Sequence, residues 1–215
     1  MTKSEIRSFV KGLVRGISVE ERTRFSEALK EEVVGLECWR SAKEVMLFFS
    51  LPDEVDMLPL IRAALAEQKR IYLPRVIAAQ VSRGVDVCEV AEGNTLPKKS
   101  TLPAGNTVSG EEMILEVREL APEQLALGRW GIWEPTDEAP LLSDYSRLDL
   151  VVVPGVAFSS DGKRLGRGKS FYDRFLPLVP RAAYVGVCYP CQVVEQIPAD
   201  PWDIGMDIVC CGEKR

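Results

Sequence analysis

The chain has 215 residues, of which 46% are hydrophobic and 27% charged, ordinary values for a globular protein with a buried core. Its 27 basic and 32 acidic residues leave a formal net charge of -5, so we expect neither a nucleic-acid-binding nor a membrane-binding surface. The absence of histidine excludes sites that need an imidazole base or a histidine-bound zinc ion. With no apolar segment of membrane-spanning length and no signal pattern, the sequence predicts a cytoplasmic protein.

Two amphipathic helices are predicted at the amino-terminal end. Apolar residues between Ile6 and Ile17 recur at the spacing of one helix face. Lys3 and Arg7, four residues apart, lie together on one flank of that helix. The capping-box pattern that begins at Ser18 predicts a second helix that extends to about residue 36.

Short apolar runs predict the strands of a sheet. The predicted strands cover residues 44–50, 70–74, 85–90, 113–120, 148–153, 182–187 and 208–211. A helix that opens at Pro52-Asp53-Glu54 joins the first two strands, as in parallel sheets. The strands on either side of a polar loop over 92–110 are expected to be antiparallel. The sequence therefore predicts one α/β domain over residues 1–215, with a mixed, largely parallel sheet flanked by helices.

The cysteines allow two interpretations. Cys188 and Cys191 have the C-x-x-C spacing of a redox pair or half of a zinc site, but no second pair has this spacing. Cys210 and Cys211 are adjacent in a predicted strand, so they should face opposite sides of the sheet. We interpret the cysteines as buried structural thiols, with zinc or redox chemistry as the alternative.

The segment that follows the strand at 148–153 is the strongest candidate for a ligand site, because α/β sheets bind ligands beyond the carboxyl ends of their strands. It contains the glycines Gly162, Gly166 and Gly168 and the cations Lys163, Arg164, Arg167 and Lys169. Glycine lets the backbone approach an anion closely, and the amino terminus of a following helix adds free amides. We predict a phosphate site here; a cationic surface turn is the alternative.

Two familiar phosphate-binding motifs do not fit this segment. Gly168-Lys169-Ser170 matches the end of a P-loop, but Lys163 stands where its first glycine is required. The third glycine of a dinucleotide-binding fingerprint is replaced by Phe171.

Three other places carry candidate side chains. Phe49 and Glu54 follow the first strand, at the expected carboxyl edge of the sheet. Trp130 and Trp133 flank a glycine and could stack on a flat heterocycle, or belong to the core. Asp203 could offer a carboxylate to a magnesium ion, or face solvent.

Several of these segments together resemble the 5-formyltetrahydrofolate cyclo-ligase (5,10-methenyltetrahydrofolate synthetase) family. The resemblance rests on Asp149 to Phe158, Arg164 to Gly168 and Phe171-Tyr172-Asp173, with shorter matches at Lys3 and Arg7, Pro52-Asp53-Glu54, Tyr72 to Arg75 and Gly131 to Pro135. It implies a fold like that of sugar-phosphate isomerases and CoA transferases. It also implies conversion of 5-formyltetrahydrofolate to 5,10-methenyltetrahydrofolate, with ATP cleaved to ADP and phosphate and with magnesium as cofactor.

The resemblance also implies roles for individual residues. ATP would contact Lys3, Arg7, Arg164, Leu165, Gly166, Arg167, Gly168, Lys169, Ser170, Phe171 and Tyr172. The folate would contact Phe49, Glu54, Trp130, Arg167, Gly168, Lys169, Ser170 and Phe171. Asp173 and Asp203 would serve magnesium. Ser170 and Phe171 stand where the family more commonly has glycine and tyrosine, which concerns backbone freedom and one hydrogen bond.

The chemistry of such a reaction suits a chain without histidine. Phosphoryl transfer depends mainly on positioning and charge neutralisation, so we predict Lys169 and Arg167 as the catalytic residues. A nucleotide- or phosphosugar-binding regulatory module on the same fold is the alternative, and would need neither Glu54 nor Asp203. A sugar-phosphate isomerase would require a carboxylate base beside the phosphate site. We expect a reduced folate and ATP as the only partners, and a monomer.

Overall fold

The computed structural model describes residues 1–80, 111–128 and 131–213. The strand predicted at 85–90, the loop predicted at 92–110 and Trp130 lie outside the described residues. Among the helices of the described part, none combines the length and apolar character needed to cross a membrane.

Helices and strands alternate along most of the described chain. The helices are α1 (Lys3–Arg15), α2 (Val19–Val34), α3 (Glu37–Ser41), α4 (Leu58–Ala66) and α5 (Phe171–Phe175). The strands are β1 (Glu44–Met46), β2 (Arg70–Gln80), β3 (Glu111–Glu119), β4 (Leu125–Leu127), β5 (Trp133–Pro135), β6 (Leu150–Pro154), β7 (Ala157–Ser159), β8 (Arg164–Leu165), β9 (Ala183–Val187), β10 (Val193–Val194) and β11 (Ile208–Cys210).

The main sheet has six strands in the order β11-β9-β6-β1-β2-β3. All neighbours are parallel from β11 to β2, and β3 pairs antiparallel with β2. This confirms the predicted parallel unit of β1, α4 and β2 and the antiparallel strand near residue 113. The carboxyl ends of β1, β6 and β9 therefore meet at one edge of the sheet, where a small β10-β7-β8 sheet is attached.

The alternating side chains of β6 divide the buried residues into two layers. Leu150 and Val152 pack in the layer that contains α1 to α4, whereas Val151 and Val153 pack in the other with Phe175 of α5. All four β6 side chains are fully buried, as expected for a central strand covered on both faces. Because β6 lies between the two layers, the segment that follows it begins next to both of them.

The predictions for α1 and for the helix that follows β1 are only partly correct. In α1, Ile6, Val10 and Val14 are buried, but Phe9 and Leu13 are 53% and 41% exposed. A single line of side chains at i, i+4 and i+8 therefore joins α1 to the core, rather than the broad stripe that the sequence suggests. Helix α2 begins as predicted, with the capping box at Ser18.

The helix predicted to open at Pro52-Asp53-Glu54 begins only at Leu58. The Glu54 amide donates to the Leu51 carbonyl at 2.9 Å, and the Leu51 amide donates to the Glu54 carboxylate at 3.0 Å. Such local hydrogen bonds from a side chain to the backbone compete with helix formation. The result is a turn that fixes the Glu54 carboxylate at the edge of the sheet.

The described cysteines are all free thiols. Cys210 packs in the layer of α1 to α4 and Cys211 in the opposite layer, which confirms that the two adjacent side chains face opposite sides. Burial raises the pKa of the Cys191 and Cys210 thiols above the ordinary value. Both thiols are therefore protonated at neutral pH, the form that is least reactive.

Candidate active site

Two neighbouring cavities open at the carboxyl edge of the parallel strands. The larger has a volume of about 490 Å³. The predicted site residues that line it are Phe49, Glu54, Arg164, Gly166, Arg167, Lys169, Ser170, Phe171, Tyr172 and Asp173. The smaller, of about 190 Å³, runs along α1 beside Arg7 and Lys11. Asp53, Gly155 and Arg167 line both cavities, so these residues form the boundary between them.

The segment from Arg164 to Ser170 forms one wall of the larger cavity and is held from several sides. The Leu165 side chain is buried in the core, so only its backbone could contact a ligand. The Arg7 Nε donates to the Gly166 carbonyl at 2.8 Å, which joins α1 to the segment. Gly168 has a φ of 92°, a backbone conformation that favours glycine.

Helix α5, which follows this segment, is short. It has five residues and continues as a 3-10 turn over Leu176–Leu178. Ser170 at its amino terminus makes no capping hydrogen bond. So short a helix has a small dipole, and the side-chain cations rather than the helix must provide most of the positive charge in the cavity.

Arg164 is neutralised by Asp173. Its Nη2 lies 2.5 Å from the Asp173 Oδ1, and the two side chains are only 4% and 14% exposed. The Arg164 guanidinium also lies 5.7 Å from the centre of the Tyr172 ring. Burial raises the pKa of the Tyr172 hydroxyl, which therefore stays protonated at neutral pH. Arg164 and Asp173 thus form a buried ion pair in the cavity wall.

Arg167 is held by two carboxylates that lie more than 110 residues away in the sequence. Its Nη2 and Nη1 donate to Asp53 at 2.7 and 3.1 Å, and its Nη2 and Nε donate to Glu54 at 3.0 and 3.2 Å. The Arg167 side chain is half-exposed. This arrangement places Arg167 between the turn that carries Glu54 and the smaller cavity.

Glu54 is the most buried carboxylate of this group, with a side chain 9% exposed. Burial raises its pKa above the ordinary value, and the hydrogen bond from Leu51 and the charge of Arg167 offset that rise only in part. The backbone carbonyl of Glu54 accepts a hydrogen bond from the buried Tyr189 hydroxyl at 3.0 Å. Its position at the cavity wall is therefore set from both the side chain and the backbone.

Lys169 differs from the two arginines because its charge is not neutralised. Its ammonium group makes no ion pair or side-chain hydrogen bond with any residue in the described part of the chain, although it lines the larger cavity. Lys163, at the other end of the same segment, is paired with Asp161 at 2.7 Å. Lys169 is thus the cation that is most available to an anionic ligand.

Lys3 and Asp203, predicted to contact ATP and magnesium, are paired with each other. The Lys3 Nζ lies 2.5 Å from Asp203 and 2.7 Å from Asp200. Although burial lowers the pKa of Lys3, its hydrogen bonds to these carboxylates raise it overall.

Asp173 lines the larger cavity, whereas Asp203 lines neither cavity, so the two predicted magnesium ligands are not in one cluster. Across residues 1–80, 111–128 and 131–213, no group of three or more metal-binding side chains is found.

The β4–β5 hairpin forms the far side of the larger cavity. Ile132 and Glu134 line it, while Trp133 is 49% exposed and does not. Burial raises the pKa of Glu134, and the charge of Arg75 opposes that rise. Trp130, predicted to contact the folate, lies outside the described residues.

The backbone at Ser170 favours a glycine. Ser170 has a φ of 52° and a ψ of 25°, in the left-handed region, which costs a residue with a side chain roughly 1–2 kcal/mol. The greater flexibility of glycine in the unfolded chain cancels part of that gain. We expect Ser170→Gly to raise the free energy of unfolding by about 0.5–1 kcal/mol, measured by urea denaturation. Ser170→Ala, which keeps the Cβ atom, should give no such increase, and an equal increase in both variants would contradict the explanation.

Sequence reasoning missed several residues of the two cavities. Asp53 carries no predicted role beyond the segment Pro52-Asp53-Glu54, although it binds Arg167 directly. Lys11 continues the four-residue spacing of Lys3 and Arg7 along α1, a signal that could have identified it. Arg75 lines the larger cavity from β2; the sequence marks it only as the end of the matched segment from Tyr72, without a role.

The largely parallel sheet, with a cavity at its carboxyl edge lined by Arg164, Arg167 and Lys169, places this chain among the α/β proteins that have a ligand-sized cleft at this edge. The sequence model of the 5-formyltetrahydrofolate cyclo-ligase family matches residues 1–212. The chain is 25% identical over 212 residues to the 5-formyltetrahydrofolate cyclo-ligase of Haemophilus influenzae, covering 98% of this chain and 97% of that relative. It is 30% identical over 175 residues to the Escherichia coli enzyme of the same name, covering 80% of each chain.

Solved structures agree. The 5,10-methenyltetrahydrofolate synthetase of Aquifex aeolicus superposes with a TM-score of 0.73 at 32% identity, covering 100% of this chain and 91% of that one. A synthetase from Mycoplasma pneumoniae, 19% identical, shares the fold with a TM-score of 0.69. This chain belongs to the 5-formyltetrahydrofolate cyclo-ligase family. The resemblance, the mixed α/β fold and the assignment to the ligases are thereby confirmed.

Proposed function

We propose that the chain converts 5-formyltetrahydrofolate to 5,10-methenyltetrahydrofolate, with cleavage of ATP to ADP and phosphate, in the larger cavity. The observation that carries the proposal is the arrangement of that cavity. One side presents Phe49 and the buried carboxylate of Glu54, and the other presents the glycine-rich segment with the unneutralised charge of Lys169. An apolar side chain can pack on the flat pterin ring while a carboxylate accepts its hydrogen bonds. A cationic side chain can bind a phosphate.

The reaction needs the formyl oxygen to become a leaving group. Transfer of the γ-phosphoryl group of ATP to that oxygen forms the new P–O bond and releases ADP. The neighbouring folate nitrogen then attacks the formyl carbon and loses its proton to solvent, and the C–O bond breaks to release phosphate. Lys169, together with Arg167, would neutralise the charge on the transferred group, which is the main requirement of phosphoryl transfer.

The two substrates are proposed to meet at Arg167. Arg167 lines both cavities, so it can face the phosphates from the smaller cavity while it touches Glu54 in the larger one. Arg7 on α1, which lines the smaller cavity, would hold the more distant phosphates, and Lys3 would join it once released from Asp200 and Asp203. Residues 1–215 would then act as one catalytic domain, since elements from both halves of the chain line the two cavities.

Magnesium is proposed as the cofactor. In nucleotide enzymes it is commonly held by one or two carboxylates together with phosphate oxygens, and it neutralises phosphate charge. Asp173 fits this role from the cavity wall, since Arg164 engages one of its oxygens and the other accepts no hydrogen bond from the described residues. Asp203 fits this role less well, because it lines neither cavity and its Oδ2 both binds Lys3 and accepts the Asp200 amide.

A direct assay tests the proposed function. Purified protein is mixed with 5-formyltetrahydrofolate, ATP and magnesium, and the methenyl product is followed by its near-ultraviolet absorbance. Product should form only when all three are present, with one ADP released per product. A regulatory module would bind nucleotide without turnover, and that result would overturn the proposal.

Glu54→Gln is expected to raise the KM for 5-formyltetrahydrofolate by about 10–100-fold, because a hydrogen bond to a charged group contributes about 1.5–3 kcal/mol. The variant keeps the size of the side chain and so the packing of the turn. The KM for ATP, measured in the same preparation, serves as the internal control and should change much less. An equal rise in both constants would mean that Glu54 acts through Arg167 rather than on the folate.

We further propose that the protein works as a cytoplasmic monomer. Its described cysteines are free thiols, as is usual in a reducing compartment, and its net charge of -5 favours solubility. Size-exclusion chromatography with light scattering measures the mass directly; a dimer mass at micromolar concentration would contradict the monomer.

A further inference from the structure

The ion pair between Asp53 and Arg167 separates the two cavities of the site. Both residues line both cavities, and the guanidinium binds Asp53 through two nitrogens at 2.7 and 3.1 Å. Every nitrogen of the Arg167 guanidinium donates to either Asp53 or Glu54. A phosphate can therefore reach its strongest donor geometry on Arg167 only if one carboxylate gives way.

Asp53 is the carboxylate that can be released. Its side chain is 37% exposed and that of Glu54 is 9% exposed, so water can replace the contacts of Asp53 but not those of Glu54. The charge of Lys11 also acts on Asp53, and Lys11 lines the smaller cavity beside it. A released Asp53 thus has a cation to turn towards.

We propose that Asp53 is a positioning residue, which holds Arg167 against Glu54 until the triphosphate of the nucleotide displaces it. This inference rests on the proposed function. In the nucleotide complex Arg167 keeps its contact with Glu54 and exchanges Asp53 for phosphate oxygens, which joins the two cavities into one. Asp53 therefore lowers the affinity for free nucleotide, because each binding event must break its pair with Arg167.

Asp53→Asn tests this role, because asparagine keeps the size of the side chain but removes the charge that competes with phosphate. The Kd of a non-hydrolysable ATP analogue, measured by calorimetry with magnesium and without folate, is expected to fall about three- to tenfold, as for loss of a half-exposed ion pair. The KM for ATP should fall by a similar factor. Asp53→Glu, which restores the charge, should return the Kd towards that of the unchanged chain. An unchanged or higher Kd in a folded Asp53→Asn protein would overturn the proposal.

A double-mutant cycle with Arg167→Ala shows whether Asp53 acts through Arg167. If it does, Asp53→Asn should have little effect on the Kd once Arg167 is absent. The same three- to tenfold gain in that background would mean direct repulsion of phosphate, and would also overturn the proposal. If the unchanged chain binds no nucleotide, the proposed function fails and this inference with it. Turnover with no effect of Asp53→Asn rejects the inference alone.

Discussion

Lys169→Ala is expected to lower kcat by about 10²–10³-fold while the protein remains folded. Removal of one preorganised charge that stabilises a transition state typically costs about 3–4 kcal/mol of barrier height. Lys169 is exposed at the cavity wall and is not paired with any acidic group of the described residues, so its charge is free for the phosphoryl group. Its removal leaves no buried partner behind, which is why the free energy of unfolding should change little. The near-ultraviolet absorbance assay of the methenyl product measures kcat, and urea denaturation measures the free energy of unfolding.

Lys163→Ala is the matched control for this experiment. Lys163 belongs to the same cationic segment, but it lines neither cavity and is paired with Asp161 at the surface. Its replacement should leave kcat within about twofold, since surface ion pairs contribute little. Near-normal turnover in Lys169→Ala, or equal losses in the two variants, would refute a role of Lys169 in phosphoryl transfer.

Asp173→Ala is expected to lower the free energy of unfolding by about 3 kcal/mol or more. Removal of one member of a buried ion pair leaves the other charge without compensation, and typical losses are about 3–5 kcal/mol. Arg164 is 4% exposed, and its remaining contacts are a Pro154 carbonyl at 3.4 Å and the Tyr172 ring. These contacts cannot replace the carboxylate, so the loss should be in the typical range. Urea denaturation without magnesium measures it.

Two comparisons separate this structural role of Asp173 from a role in magnesium binding. Arg164→Met combined with Asp173→Leu removes both charges, and it should be more stable than Asp173→Ala alone because no unpaired buried charge is left. Asp161→Ala, which breaks the exposed pair with Lys163, should have a much smaller effect. If Asp173 served only the metal ion, the free energy of unfolding without magnesium would change by less than about 1 kcal/mol.

The parts of the fold that the sequence predicted well are those with strong local signals. The strand near residue 150 has a continuous apolar run, which is typical of a strand that is buried on both faces. The capping box at Ser18 places the start of α2 correctly. The weaker predictions concern short elements: β7 and β8 have three and two residues, too few to show a period. The delayed start of α4 follows from the turn hydrogen bonds around Glu54, which compete with helix formation.

The sequence by itself determined which kinds of chemistry this protein can use. A chain without histidine, with four cations and three glycines after its strongest strand, points to phosphate binding and away from imidazole catalysis. It also pointed to the family, because matched segments occur in order along the chain and the longest of them, from Asp149 to Asp173, are runs of neighbouring residues.

Only the tertiary structure decided which of those cations are free to act. Arg164 is neutralised by Asp173, Arg167 by carboxylates more than 110 residues away, and Lys169 by none of the described residues. The reason is physical: the attraction between two charges depends on their distance in space and on their exposure to water, and neither can be read from positions along the chain. The β1–α4 turn brings Asp53 and Glu54 onto Arg167, while Arg164 and Lys163 pair with carboxylates close to them in the chain. Of the four cations, only Lys169 is therefore left without an acidic partner among the described residues.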